Sequence, residues 1–337
     1  MAALLATGIL CLTGMQGCAG TDPAGTKEES HAADGESQVT EREADTESSD
    51  KSTGIGKVSW NDKTYEYNDH LSNFLFIGVD KEELVESTLG STDAGKADAL
   101  FLLSWDRVTD DITVISIPRD TMTTFNVYDR DGTDLGPVEQ HICLAYSYGD
   151  GKHESCRMTK EAVSRLFYRI PIQGYCAVTL EALTEISRAL GPVTVTVPND
   201  SLAARVPEMY KGAQVTITEE NIEMFVRYRD TAEEHTALYR QERQNAYLEA
   251  CYEKMLQEYA SDAGIVTDLY EALTPYMVTS MGNDQFVKIM ESAAEGGSLT
   301  RWTVPGEGVS TEVFDEYHVD EDALYEQILM SFFEEVN

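Results

Sequence analysis

Apolar and polar positions change their spacing several times along the 337-residue chain, and each change predicts an element. Residues 57–67, KVSWNDKTYEY, alternate on either side of Asn61-Asp62-Lys63 and predict a β-hairpin. Residues 73–80, NFLFIGVD, form a continuous apolar run that ends on Asp80, as expected of a strand buried on both faces that delivers an acid at its carboxyl end. After a polar loop over 86–94, Gly95-Lys96-Ala97-Asp98 leads into a second apolar run, 99–105. A third run, 112–117, is followed by Pro118-Arg119-Asp120-Thr121. The short turn at Asp110-Asp111 makes the last two runs a hairpin, so the sheet is expected to be mixed.

The middle of the chain has a helical period. Residues 159–167 carry apolar side chains at Ala162, Val163, Leu166 and Phe167, and 180–190 repeat the pattern before stopping at Gly191-Pro192. VTVTV at 193–197 alternates and predicts a strand, and Thr218 is expected to cap a helix running through Phe225. Beyond Gln244 a helix is predicted to about 259, then helices at 266–274 and 283–293, a strand at 299–304 and a last helix at 321–333. No repeat of solenoid length is present. The order describes an α/β chain with a mixed sheet covered on both faces.

The ends and the charge refine this picture. Residues 2–17, AALLATGILCLTGMQG, are uncharged and largely apolar, but fall short of the roughly 20 residues a bilayer span needs. They fit the apolar part of a signal peptide over 1–17. Met15-Gln16-Gly17-Cys18 resembles a lipobox that would leave Cys18 lipidated, although Met15 replaces the usual Leu and no Lys or Arg precedes the run. An uncleaved anchor is the alternative. Residues 18–56 then form an acidic stretch with, from Thr21, almost no large apolar residue, expected to be a disordered tether. That leaves 57–337 as one domain, helix-rich after about 260; a tether on a lipid or signal anchor would hold it close to, but outside, a membrane, and a spacer with no positional role is the alternative. The net charge of -35 argues against nucleic acid as a partner.

Of six cysteines, four fall in the domain, and no CxxC spacing points to zinc or a redox motif. In an exported domain Cys143 and Cys156 are placed to close a short loop worth about 3 kcal/mol. Free buried thiols are the alternative.

Among chemical motifs, the phosphate-cradling and dinucleotide glycine loops, the GxSxG elbow and HExxH are all absent. Acids and arginines remain. Residues 218–244 concentrate Arg227, Arg229, Arg240 and Arg243 in this acidic chain, and Arg240, Arg243 and Gln244 have the spacing of one helix face. Converging guanidinium forks suit phosphate or pyrophosphate, with the bracing of neighbouring acids as the alternative. Asp80 and Asp98 sit at strand–loop junctions where they could share a hard divalent cation, or simply cap turns.

The segments FIGVD (76–80), GKADALFLLSWD (95–106), ITVISIPRDT (112–121), ICLAYSYGDG (142–151), 170–198, and FVRYRDT with YRQERQ (225–244) resemble, in that order, the LytR-CpsA-Psr family. The resemblance implies an α-β-α sandwich with a central mixed sheet. It also implies a membrane-tethered phosphotransferase that moves a glycopolymer from an undecaprenyl-pyrophosphate carrier to a muramic acid hydroxyl of peptidoglycan. By the same resemblance, Asp80 and Asp98 would bind Mg²⁺ or Mn²⁺. Arg119, Arg227, Arg229, Arg240, Arg243 and Gln244 would hold the pyrophosphate, with Lys96 where many relatives have an arginine. Arg119 would act at the reacting phosphate, and Asp98 or Asp120 would take the acceptor's proton. A polyprenyl groove is expected near Leu166, Phe167, Leu183, Ile186 and Phe225, residues that periodicity alone assigns to core. Lys81 and Ala237-Leu238-Tyr239 also depart from the family pattern. A non-catalytic polyprenyl-phosphate binder or envelope regulator, and a pyrophosphatase-like hydrolase, are the competing functions.

Overall fold

The computed structural model describes residues 56–228, 236–295, 297–311 and 314–336. The expected leader, Cys18 and all of the tether except Gly56 therefore lie outside the described residues, as does Arg229.

The chain opens with β1 (Lys57–Trp60) and β2 (Lys63–Tyr67), paired antiparallel across Asn61 and Asp62. Both turn residues have positive φ, 49° and 63°, as a two-residue hairpin turn requires. Then come β3 (Leu71–Val79), β4 (Ala97–Asp106), β5 (Ile112–Ile117), β6 (Met122–Tyr128), β7 (Asp134–His141), α1 (Leu144–Ser147) and α2 (His153–Leu166). The middle holds β8 (Gly174–Val178), α3 (Glu181–Leu190), β9 (Val193–Thr196), β10 (Gln214–Ile217), α4 (Ile222–Arg227) and α5 (Thr236–Ser261). The chain continues with α6 (Ile265–Leu273), β11 (Met277–Thr279), α7 (Asn283–Glu295), β12 (Leu299–Thr303), β13 (Gly306–Ser310), β14 (Asp315–Val319), α8 (Glu321–Phe332) and β15 (Phe333–Val336).

Six strands build the central sheet in the order β11-β8-β3-β4-β5-β12. β3–β4, β4–β5 and β11–β8 are antiparallel, whereas β3–β8 and β5–β12 are parallel, so the sheet is mixed as the Asp110-Asp111 turn predicted. The apolar runs of β3 and β4 split by alternation between two cores. Phe74, Phe76, Phe101 and Leu103 face α3 to α7 on one side, and Leu75, Ile77, Leu100 and Leu102 face α2 and α8 on the other. The result is an α-β-α sandwich.

Several expectations are corrected. Helix α2 begins at His153 rather than 159 because Asp150 Oδ1 accepts the backbone N–H groups of Lys152, Glu154 and Ser155 at 2.7, 3.0 and 3.2 Å, starting the helix upstream. Thr159 is instead buried inside it, donating to Ser155 O. Thr218 does not cap α4, which starts after Asn221; the Asn221 side chain turns back to accept from Thr218 N. The hairpins β6–β7 and β13–β14 had no apolar alternation to announce them, since β7 and β13 are largely exposed.

The expected polyprenyl groove does not form from the five residues named for it. Leu166 and Phe167 pack on the α2/α8 side of the sheet, whereas Leu183, Ile186 and Phe225 pack on the opposite side, with Ile186 and Phe225 fully buried. Among the described residues no helix is long and apolar enough to cross a membrane.

The Cys143–Cys156 bridge is also corrected, for all four described cysteines are free and buried. Cys143 instead accepts a hydrogen bond from Arg119 Nη2 at 3.7 Å, and Cys156 is buried within α2. Burial pushes the Cys143 and Cys176 thiols up to about 11 and Cys251 to about 12, from an ordinary value of 9.0. Alkylation of the native protein near about pH 8 should therefore leave these thiols unmodified, while alkylation after denaturation without reductant labels all four. A linked Cys143–Cys156 peptide in the map would reverse this correction. Because the folded pKa values are raised, the thiols' contribution to stability is full below pH 9 and is lost as pH rises through about 11 to 12. Urea midpoints should fall across that window.

Candidate active site

The antiparallel pairing of β3 and β4 brings the carboxyl end of one to the amino end of the other, so Asp80 and Asp98 meet at one edge of the sheet. The turn between them is locked from both sides: Asp80 N donates to Lys96 O at 3.0 Å and Lys96 N donates to Asp80 Oδ1 at 2.7 Å. Gly95 has φ +97°, and a Cβ there would lie 2.8 Å from Asp80 Oδ1, so the backbone's close approach to the acid requires glycine. Strand β5 delivers Pro118-Arg119 to the same edge, again because it runs antiparallel to β4.

Asp98 is the centre of the charge network. Its Oδ1 accepts from Arg119 Nη1, its Oδ2 from Arg240 Nη2 at 2.9 Å, and its side chain is only 13% exposed. Arg119 reaches three groups with three nitrogens: Asp98 through Nη1, Asp120 Oδ1 through Nε at 3.1 Å, and the Cys143 thiol through Nη2. Burial pulls the Arg119 guanidinium down, but Asp98, then Cys143 and Asp120, outweigh it and leave it firmly protonated. Cys143 ties the pocket together through its backbone too, donating its N–H to Arg119 O and accepting from Ala97 N.

These groups border a cleft of ≈ 410 Å³. Asp80, Lys96, Asp98, Arg119, Arg227, Arg240 and Gln244 line its polar part, and Phe76, Phe101, Val178, Leu183, Val226 and Leu248 its apolar part. Lys96 stands exposed at the rim. Of Arg119, Arg227 and Arg240 on the cleft wall, Arg227 is the most open at 36% exposure and is held by the exposed Glu223 and Glu82, at 2.7 and 3.3 Å. Of the five expected lipid contacts only Leu183 lines the cleft. The others on its wall were legible as apolar positions of β3, β4, β8, α4 and α5, but not as cleft residues, since which sheet face the helices leave open depends on the packing.

Two expected site residues are placed elsewhere. Arg243 is 1% exposed and does not line the cleft, so its expected contact with pyrophosphate is corrected: it donates instead to the carbonyls of Phe225, Tyr228 and Tyr239 and to Ser201 Oγ. Arg243 and Gln244 lie about 100° apart around the helix axis, and only Arg240 and Gln244 share the face turned to the cleft. Asp120 touches Arg119 but is not on the cleft wall. Among the described residues no group of three or more His, Cys, Asp or Glu is arranged to cage a metal. Asp80 and Asp98 are the carboxylates on the described cleft wall, and a Mg²⁺ site takes one or two carboxylates with water and substrate phosphate filling the rest of its shell.

A teichoic acid transferase from Halalkalibacterium halodurans, named polyisoprenyl-teichoic acid–peptidoglycan teichoic acid transferase TagU, is 33% identical over 123 residues, 36% of this chain and 34% of its own length. The chain thus matches about a third of that curated relative. Among solved structures, B. subtilis TagV superposes with a TM-score of 0.58 at 20% identity, covering 78% of this chain and 96% of that one. TagT bound to LIIa-WTA gives 0.55 at 17% identity, covering 77% and 89%. At these identities the likeness concerns the fold. The LytR_cpsA_psr family profile matches residues 30–329, which takes in the cleft, the sheet and both helical layers. With that span matched and the fold shared, the chain belongs to the LytR-CpsA-Psr family.

Proposed function

We propose that the domain transfers a glycopolymer from a polyprenyl-pyrophosphate carrier to a peptidoglycan hydroxyl. The observation that carries this reading is the joining, in one cleft, of convergent guanidiniums and carboxylates with an apolar wall. A pyrophosphate on a long hydrocarbon needs that combination. The name of the TagU relative and the LIIa-WTA bound to TagT support the same substrate class.

In this reading the acceptor oxygen attacks the phosphorus bearing the sugar. The new P–O bond forms as the bond to the bridging oxygen breaks, leaving polyprenyl monophosphate. Phosphoryl transfer asks little covalent chemistry of the protein; in-line positioning and neutralisation of the oxygens dominate. Arg119 and Arg240 supply that charge. Both now lie on Asp98, so an arriving pyrophosphate competes with a carboxylate for the same forks. As they move onto phosphate, Asp98 is released. Of the two candidate bases Asp98 lines the cleft and Asp120 does not, so Asp98 takes the acceptor's proton. Asp80 and Asp98 would hold Mg²⁺, whose chemistry there is to polarise phosphoryl oxygens. A lipid- or signal-anchored N-terminus would keep the cleft at the outer face of the cytoplasmic membrane.

The test is direct. The purified protein, given Mg²⁺, a polyprenyl-pyrophosphate-linked sugar and peptidoglycan fragments, should release polyprenyl monophosphate and yield a sugar-phosphate adduct of the acceptor by mass spectrometry. Donor binding without turnover would replace this reading with that of a binder. Phosphate release without an acceptor would replace it with hydrolysis.

A further inference from the structure

Among the described residues Arg243 is the largest fully buried side chain, and it is a cation that the mechanism above does not use. Its surroundings are unusual for a buried charge. Among the described residues none of its hydrogen bonds goes to a carboxylate: Nε donates to Phe225 O at 2.7 Å, Nη2 to Tyr228 O, and Nη1 to Ser201 Oγ and to Tyr239 O at 3.3 Å. Burial, and after it the neighbouring Arg240, pull its guanidinium down to about 10. A well-packed apolar side chain would avoid that cost. It would also leave those buried carbonyls without partners.

Two of those carbonyls belong to the end of α4. A helix leaves its last carbonyls without partners in its own ladder, and together they form a partial negative pole. In α4 the partners come from α5: Arg243 takes Phe225 O and Tyr228 O, and Gln244 Nε2 donates to Val226 O at 3.0 Å. The same fork reaches back through Ser201 to Asn199, whose Oδ1 accepts from Ser201 Oγ at 2.5 Å. Asn199 Nδ2 in turn donates to Tyr239 O at 3.0 Å and to Glu242 Oε2 at 2.7 Å. The last residue of α4 is Arg227, on the cleft wall.

We propose that Arg243 is a positioning residue, which fastens the carboxyl end of α4 to α5 and so sets Arg227 on the cleft wall without itself touching the ligand. The planar fork is what the role requires. A lysine keeps the charge but cannot span acceptors on three segments from one rigid plane. The proposal deepens the phosphate-binding reading of the cleft, and its affinity measurement rests on that reading.

The experiment has two arms. In the first, binding of farnesyl pyrophosphate to the full chain is measured by calorimetry, well below the melting temperature, for wild type, Arg243→Lys, Arg227→Ala and the double variant. Arg243→Lys should weaken binding about tenfold, with no further loss in the Arg227→Ala background, because residues acting through one another do not add. Additive losses would make Arg243 a direct ligand and overturn the proposal. A lowered melting temperature with unchanged affinity would make it merely structural, and overturn it equally. In the second arm, amide exchange should rise in Arg243→Lys at Phe225 and Tyr228, whose N–H groups bond to Asn221 O and Met224 O, without ligand present. Should wild type bind no farnesyl pyrophosphate, the ligand reading fails, and the exchange arm alone decides: faster exchange at the two amides upholds the clamp, and unchanged exchange rejects it. If Arg243→Lys does not fold, Ser201→Ala, which removes one acceptor of the fork, serves in both arms with the same criteria.

Discussion

Asp98→Asn is expected to lower transfer turnover by about 10²- to 10³-fold, the range seen when a preorganised charge contact to a reacting centre is removed. The asparagine fits the space, so the effect is electrostatic. Asp98 receives Arg119 on one oxygen and Arg240 on the other, and all three side chains are under 20% exposed, at 13%, 19% and 13%. An amide can accept on one side only, and its NH₂ faces a guanidinium that has nothing to accept it. Two cations brought together by one carboxylate then repel each other, and the proton acceptor of the proposed mechanism is gone. Breaking a fully buried pair costs about 3–5 kcal/mol; with some solvent access here, a loss of about 2–3 kcal/mol in stability is expected. Polyprenyl monophosphate release measures the first effect and thermal melting the second. Asp120→Asn should be much milder, since Asp120 contacts Arg119 alone and is off the cleft wall. Equal losses in the two variants would remove Asp98 from the centre of the site.

Arg119→Lys comes next in size, with an expected loss of about 10²-fold in kcat. Charge is conserved in this variant and geometry is not. Arg119 reaches Asp98, Asp120 and Cys143 with three different nitrogens, and an ammonium at the end of a flexible stem cannot hold all three directions. Arg227→Ala should behave differently. Arg227 is half-open to solvent, and its partners Glu82 and Glu223 are exposed, so those pairs contribute about 0–1 kcal/mol each to stability. Its removal should raise KM with a smaller change in kcat. Separate determination of the two constants distinguishes a residue that holds the ground state from one that stabilises the transition state. If both variants raise KM alone, Arg119 has no special role at the reacting phosphate.

Much of the site could be read along the chain because it is built where strands end. The alternation of 57–67, the runs ending at Asp80 and beginning after Asp98, and the Asp-Asp turn predicted the hairpin, two central strands and the mixed sheet that are observed. Once β3, β4 and β5 pair in sequence, Asp80, Asp98 and Arg119 have no choice but to share one edge. The helices of the carboxyl-terminal part were likewise visible by period, to within a few residues at their ends.

What the chain alone could not decide is direction. Period 2 divides a strand's side chains between two faces, and helical period gathers a stripe, yet neither says which element will cover that face. Leu166 and Phe167 were therefore grouped with Leu183, Ile186 and Phe225, although the sheet lies between the two sets. Cys143 and Cys156 were close enough in sequence for a bridge, but Arg119 arrives from the turn after β5 to occupy the Cys143 thiol. Arg243 is the sharpest case. Spacing put it beside Arg240 and Gln244, and charge counted it among the ligands. Only the packing of α4 against α5 supplied carbonyls that turn its fork inward. The sequence by itself determined the fold class, the strand-end acids and the supply of cations; the tertiary structure decided which cations face the cleft, because that depends on partners brought from elsewhere in the chain.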